Sequence, residues 1–570
     1  MTSTKNFKKI IFSAVIVTLL FFCQDTSQDI LLAEINPQLG KEYKQAYCSR
    51  ILNYSVQIDD EYISENQRRL DILHYDLSFD LYPEEKRFEA VAVIKGKVLD
   101  ENLKVIELNF YDNFNITEVK LNNIQTDFIC EGTQFTIPIK ELSIDTFVLK
   151  VSYNGTPKKA GLSGFVFGKK NGDSFIYNLS EPNYASTWFP CNDFPTDKAL
   201  LDMQITNDSS NISLSNGNLV EVKTSGSRKT YHWKTIYPIS TYLIAIYSSD
   251  YKTFSDEYVS LDGTDTLSLQ YYVSEEKLED AKIDFAEHPE YMRFFAETFG
   301  EYPFMNEKYG IAEFLWQAGA MEHQTITGVA SNIITGSNYF DDVLIHELAH
   351  HWWGDAVGPK SWKDIWLNEG FSTYSEALYY EFKSGKSALQ STMISNYRDN
   401  FSGRLSSPGS FLFTSTVYNK GAWVMHMLRR ETGDSLFFKI LRDYFEEYKY
   451  KNASTKDFQK ICEKVSEKDL DKFFDQWING EGEIELEYEW ISKKNENEFE
   501  TRFFLYQVQE EYDTYQFPLD ILVQMENGEK KSYLFEINSR ETQIEIRTDE
   551  KVKFVILDPD NWLLMSAREL

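Results

Sequence analysis

The 570-residue chain predicts a multidomain α+β protein: an N-terminal β-sandwich domain, a mostly helical middle and a small C-terminal β domain. Three changes of hydrophobic period carry that prediction. Apolar residues recur at every second position in the first part, at helical spacing from near Ser274, and at every second position again from Glu483. The length suits about three domains with well-filled cores.

Charged residues make up 26% of the chain and aromatics 15%, an ordinary globular profile rich in Tyr and Phe. The net charge of −31 argues against nucleic acid as a partner. It suits a soluble exported protein; a well-solvated acidic surface is the plain reading, and attraction of cationic peptide ends is the functional alternative. Residues 1–23 read as a signal peptide, with Lys5, Lys8 and Lys9 ahead of an apolar run from Ile10 to Phe22 that is short for a membrane span. Leu20-Phe21-Phe22-Cys23 is similar to a bacterial lipoprotein processing site, which would acylate Cys23, although Phe22 stands where that pattern prefers a small residue. Cleavage beyond Cys23 and an uncleaved anchor are the competing readings. The expectation is export, with a membrane-anchoring lipid favoured over periplasmic or extracellular release. Cys23, Cys48, Cys130, Cys191 and Cys462 are scattered, with no Cys-x-x-Cys, so neither a thiolate metal site nor a disulfide framework is indicated. The count leaves room for one disulfide.

Residues 24–66 are polar and mixed and read as a tether and lead-in. Residues 67–258 form the first β domain. Tyr75, Leu77, Phe79 and Leu81 alternate with polar residues up to Pro83, as do Ile106, Leu108 and Phe110, and short strands follow between Gly, Asn and Ser turns. Within this region Glu181-Pro182-Asn183-Tyr184-Ala185 precedes an aromatic, proline-containing loop from Trp188 to Ala199, for which packing is the default explanation. Residues 259–480 form the middle domain. Leu278, Ala281, Phe285, Met292, Phe295 and Phe299 lie at helical spacing, interrupted at Pro289 and ended at Gly300. An apolar strand, Tyr309 to Leu315, leads to Gly319-Ala320-Met321-Glu322-His323. Later helices include one opened by Tyr418-Asn419-Lys420-Gly421-Ala422-Trp423 and one with the capping-box pattern Ser454-Thr455-Lys456-Asp457. Residues 481–570 return to alternation, with a hairpin signal at Asn527-Gly528.

The chemistry centres on His346-Glu347-Leu348-Ala349-His350, followed after eighteen residues by Glu369. Two histidines four apart on a helix share one face, so both imidazoles reach one ion. Glu347 lies between them and can address a water on that ion as a general base. A surface helix that happens to carry two histidines is the plain alternative. Leu367 to Phe382 has helical period and would hold Glu369 on its first turn, facing the histidines. Two His and one Glu leave a coordination position open, the arrangement of a hydrolytic zinc site with one Zn2+ per chain. Glu376, seven residues beyond Glu369, could contact a ligand imidazole or simply face solvent. His351, His74, His288 and His426 read as structural.

These residues together resemble the zinc aminopeptidases of the alanyl and puromycin-sensitive type, gluzincins related to leukotriene hydrolase. The likeness runs from about Asp71 to the C-terminus and rests on motifs in family order: Glu181 to Ala199, Phe299-Gly300-Glu301-Tyr302-Pro303, Gly319 to His323, the zinc motif with Glu369, and Tyr418-x-Lys420-Gly421-Ala422. The resemblance implies a β domain, a thermolysin-like catalytic domain and a small C-terminal β-sandwich, in a short form without the family's large helical domain. It implies His346, His350 and Glu369 as zinc ligands, Glu347 as general base and Tyr418 as hydrogen-bond donor to the oxyanion. Glu322 and Glu181 would hold the substrate's free α-amine, and Gly319, Ala320, Met321 and His323 would contact its backbone. The partners would be peptides with a free N-terminus.

Two departures stand out. The family usually has Asn where His323 stands, and a histidine there would titrate near neutral pH. Leu179 stands where the family often has Gln, which would make the pocket for the first residue more apolar. The rival functions are an endopeptidase, a catalytically silent peptide-binding homologue and, with least support, an epoxide hydrolase.

Overall fold

A computed structural model describes residues 63–139, 145–161, 164–317, 319–398, 401–409 and 412–570. The signal peptide of residues 1–23 with its Cys23, and most of the 24–66 tether, lie outside the described residues. Cys130, Cys191 and Cys462 are unpaired. No helix among the described residues is long and apolar enough to cross a membrane.

The N-terminal domain is built on an eight-stranded sheet. Its centre is strand Leu70–Tyr82, antiparallel to Arg87–Val98 on one side and parallel to Leu200–Asp208 on the other. Alternation does the sorting: Tyr75, Leu77, Phe79 and Leu81 are buried while their neighbours face outward. A four-stranded and a three-stranded sheet cover the inner face. Aromatic side chains join the layers: Phe88 meets Phe114 and Phe165, and Tyr153 meets Phe110 at 4.9 Å between centroids. Each such pair adds roughly 0.5–1.5 kcal/mol beyond its buried area.

The boundary expected at residues 258/259 is corrected by the sheet pairing. Strand Lys252–Val259 pairs with Thr266–Val273, and both belong to a five-stranded sheet that continues through Tyr309–Phe314 and Thr327–Ala330 to Ala320–Met321. Lys252 onward therefore belongs with the middle domain. Alternation identifies a strand but not the sheet that it joins.

The middle domain then runs through helices α1 (Leu278–Asp284), α2 (His288–Phe299), α3 (Asp341–Ala349), α4 (Trp366–Ser384), α5 (Lys386–Ser395), α6 (Gly421–Thr432), α7 (Asp434–Tyr448), α8 (Thr455–Ser466) and α9 (Asp471–Phe474). Pro289 lies in the first turn of α2, where its missing N–H costs nothing, and Gly300 follows its end. The capping box at Ser454 and Asp457 is formed. Helix α4 is buried on every face from Trp366 to Tyr379 and is the axis of the domain. It crosses the start of α6 so closely that a Cβ on Gly370 would come 2.8 Å from the Gly421 Cα. Only two glycines permit that approach.

From Ile484 the chain forms a four-stranded and a three-stranded sheet. Strands Phe517–Met525 and Lys530–Ile537 make the hairpin around Asn527-Gly528, with Gly528 at φ 87°.

Candidate active site

Helix α3 buries Val343, Leu344, Ile345, Leu348 and Ala349, which orients the opposite side of its last turn toward α4. There the Nε2 atoms of His346 and His350 lie 3.0 Å apart. Glu369, on the first turn of α4, brings Oε2 to 3.3 Å from each. A tetrahedral zinc with ligands at about 2.0–2.1 Å has ligand–ligand edges of about 3.3 Å, so the triad has the dimensions of a three-ligand zinc site. Three acceptor atoms converging in a buried space also need a cation for electrostatic reasons.

The far sides of both imidazoles are held. His346 Nδ1 lies 2.7 Å from Glu376 Oε1, and His350 Nδ1 lies 3.0 Å from the Trp353 carbonyl and 3.0 Å from Ser372 Oγ. These contacts keep each Nε2 free for the ion and fix its direction. Helical spacing pointed to Glu376. Ser372, three residues after Glu369, was legible in the same way but was not singled out, and the Trp353 carbonyl leaves no sequence signal.

Four carboxylates crowd this space. Oxygens of Glu322 and Glu347 and a nitrogen of His350 lie within 4.8 Å of one another, as do oxygens of Glu181, Glu322 and Glu369. Burial raises Glu181 well above the usual carboxylate range, with Glu322 adding to it, and burial raises Glu322 as well. Burial likewise pushes Glu347 up to about 8. Burial would also raise Glu369, but His350 and then His346 outweigh it and hold it at about 2. Glu181 Oε1 and Glu322 Oε1 are buried with no hydrogen-bond partner. Two neighbouring carboxylates, each with a buried oxygen of this kind, form a receptor for a positively charged donor.

Around them is a narrow cavity of about 20 Å³, which Ala320, Met321 and Tyr418 also line. Its remaining walls are Trp316 and Phe413, neither of them expected from the sequence. A cavity of about 630 Å³ lies elsewhere and contains none of these residues. Ala320–Met321 is the last strand of the five-stranded sheet, antiparallel to Thr327–Ala330, and the Gly319 carbonyl accepts from Ala330 N–H at 3.1 Å. Gly319 has φ +149°, in the region that favours glycine. Tyr418 sits in a π-turn, Thr416–Lys420, that leads into α6, and its ring stacks on His346 at 5.9 Å. Such widened turns are frequent at functional sites because they re-aim one side chain.

The neutral-pH titration expected of His323 is corrected. His323 is fully buried and does not line the cavity. Its Nδ1 meets the Tyr247 hydroxyl at 2.6 Å, and burial pushes it down to about 3, so it does not titrate near neutral pH. Leu179 ends strand Asp173–Leu179, is fully buried and does not line this cavity. His351, His288 and His426 are buried among aromatic rings, and His74 pairs with Asp202 at 2.8 Å.

Comparison with known proteins bears on this site. Residues 72–243 match the peptidase M1 N-terminal domain and residues 284–477 the peptidase family M1 domain, together well over half of the chain. Aminopeptidase N of Lactococcus lactis is 26% identical over 443 residues, covering 72% of this chain and 51% of that protein. Probable aminopeptidase 2 of Sulfurisphaera tokodaii is 27% identical over 503 residues, covering 82% and 63%. This chain thus spans 51% and 63% of the length of these two relatives. Among solved structures, Legionella pneumophila aminopeptidase A in complex with aspartic acid has a TM-score of 0.77 at 17% identity, covering 90% of this chain and 61% of that one. An M1 zinc metallopeptidase from Deinococcus radiodurans has a TM-score of 0.63 at 23% identity, covering 72% and 94%. At these identities the structural likeness is one of fold.

Proposed function

The chain belongs to peptidase family M1, and from that membership we propose that it is a zinc-dependent aminopeptidase releasing N-terminal residues from peptides. The observation that carries the proposal is the pair of unpartnered carboxylate oxygens, on Glu181 and Glu322, beside a zinc-sized His346–His350–Glu369 triad.

A zinc ion held by that triad, one per chain, supplies Lewis acidity that acidifies a water and polarises a carbonyl. The remaining work falls to side chains. Glu347 takes a proton from the attacking water and delivers it to the leaving amine. Tyr418 donates its hydroxyl proton as a hydrogen bond to the carbonyl oxygen as that oxygen gains charge. Glu322 and Glu181 accept from the substrate's N-terminal ammonium. A mid-chain peptide brings no charge and would leave both carboxylates buried and unpaired. Gly319, Ala320 and Met321 offer backbone to an extended substrate as the outer neighbour of their strand. His323 bonds the Tyr247 hydroxyl, which abuts Gly328 in the strand paired with Ala320–Met321.

Within the family, the motif order supports the alanyl and puromycin-sensitive type. We propose further that the protein is exported, with Cys23 lipidated and attaching it to a membrane, on the pattern of Lys5 to Cys23. The strongly acidic chain is not suited to nucleic acid.

The test compares an aminoacyl anilide bearing a free amine with its N-acetyl form, with and without chelator. The free-amine substrate should be cleaved at least a hundredfold faster, and only with metal present. Equal cleavage of the two would instead indicate an endopeptidase. Zinc binding without cleavage of either would indicate a silent peptide-binding homologue.

A further inference from the structure

We infer that Lys198, on the N-terminal domain, is a positioning residue for the metal-binding His350, which makes the Trp188–Ala199 loop part of the site and not packing alone. The inference rests on the zinc peptidase reading above.

The loop is stiff where Lys198 leaves it. Asp197 accepts from Ile72 N–H at 3.0 Å and from Asn192 Nδ2 at 2.7 Å. Ala199 exchanges two backbone hydrogen bonds with Ile239, at 3.0 and 2.9 Å. From this base Lys198 crosses into the middle domain, and its Nζ donates to the Asp355 carbonyl at 2.7 Å and to the Ala356 carbonyl at 3.2 Å.

Those carbonyls belong to the turn that ends the zinc helix. Asp355 N–H donates back to the His350 carbonyl at 3.0 Å. Next to that turn, the Trp353 carbonyl lies 3.0 Å from His350 Nδ1, and a Cβ on Gly354 would stand 3.4 Å from the same nitrogen. Lys198 thus holds the segment against which one ligand ring rests. The Asp355 side chain is also fully buried with neither oxygen hydrogen-bonded; burial raises it well above the usual carboxylate range, and Lys198 opposes that rise.

The surroundings make room for this one side chain. A Cβ on Gly358 would come 3.2 Å from Lys198 Cε. A second bridge joins the same loop to the same region: Asn452 Nδ2 donates to the carbonyls of Pro195, at 3.0 Å, and Pro359, at 2.9 Å. Packing alone would not call for an ammonium set on two main-chain carbonyls, since its desolvation is costly. Fixing a ligand to within about half an ångström would.

The test measures zinc affinity of the full chain by competition with a chromophoric chelator, alongside the melting temperature of the zinc-free protein. Lys198→Met should weaken zinc binding about 10- to 100-fold, the range for groups that hold a ligand in place. Lys198→Arg, which retains charge and donors, should recover most of that loss. Asn452→Ala breaks the other bridge without touching Asp355 and should change affinity less than about threefold. If Lys198→Met does not fold, Lys198→Gln is read by the same criterion. A Lys198 variant that binds zinc within about threefold of wild type overturns the inference. So does an equal loss in Asn452→Ala, which would assign the effect to the seam as a whole. A wild-type chain that binds no zinc overturns the functional reading along with it, so the two failures are distinct.

Discussion

His346 Nδ1 lies 2.7 Å from Glu376 Oε1, a carboxylate two helical turns beyond Glu369 on the same face of α4. One helix therefore supplies both a candidate metal ligand and the group that orients another. Glu376→Ala should weaken zinc binding about 10- to 100-fold, and Glu376→Gln, which retains an acceptor, should weaken it less. Chelator competition on the two variants checks the order.

Glu347→Gln should lower kcat by about a hundredfold to ten-thousandfold while leaving the zinc content near one per chain, because it removes the proton acceptor and none of the triad. Metal analysis and anilide hydrolysis on the same sample test both halves.

Tyr418→Phe removes one hydroxyl and leaves the ring on His346 in place. A donor aimed at developing charge matters mainly in the transition state, so kcat should fall about a hundred- to a thousandfold with little change in KM. An equal effect on both parameters would point to ground-state binding.

Burial holds His323 and His426 at about 3 and His288 at about 4, all below the ordinary histidine value. A depressed histidine stabilises the fold above the unfolded value of about 6.5, and that contribution is lost as pH falls toward the folded value. Each contributes a slope of about 1.4 kcal/mol per pH unit in that window. Asp193 and Asp558, raised by burial to about 6, act in the opposite sense, so the informative quantity is a difference. Urea unfolding of His323→Asn between pH 6 and pH 4 should be less acid-sensitive than wild type by about that slope.

Gly370→Ala would set a methyl 2.8 Å from the Gly421 Cα. Backbone on both sides leaves little room to yield, so the variant should lose about 1–3 kcal/mol of stability. It should also displace the turn that carries Tyr418, which a lowered kcat in the surviving folded fraction would reveal.

Local geometry explains what the sequence made legible. His346 and His350 come together because a helix places residues four apart on one face, and Tyr75 to Leu81 bury together because a strand alternates. The contents of the cavity wall are a different matter. Trp316 and Phe413 meet only through tertiary packing, and nothing in their spacing shows it. His323 looked like a neutral-pH group because its environment is made by Tyr247, 76 residues away. Strand Lys252–Val259 reads as a continuation of the first domain because its hydrogen-bond partner is invisible to periodicity.

Glu181 and Glu322 lie together at the triad, but one follows a strand of the N-terminal four-stranded sheet and the other a strand of the middle domain's five-stranded sheet. On the proposed function, the triad, Glu347 and Tyr418 come from the middle domain, whereas the gauge for where a peptide begins is shared. On that reading, a small shift of Glu181 against Glu322 would blur which bond is chosen while the triad itself kept its geometry.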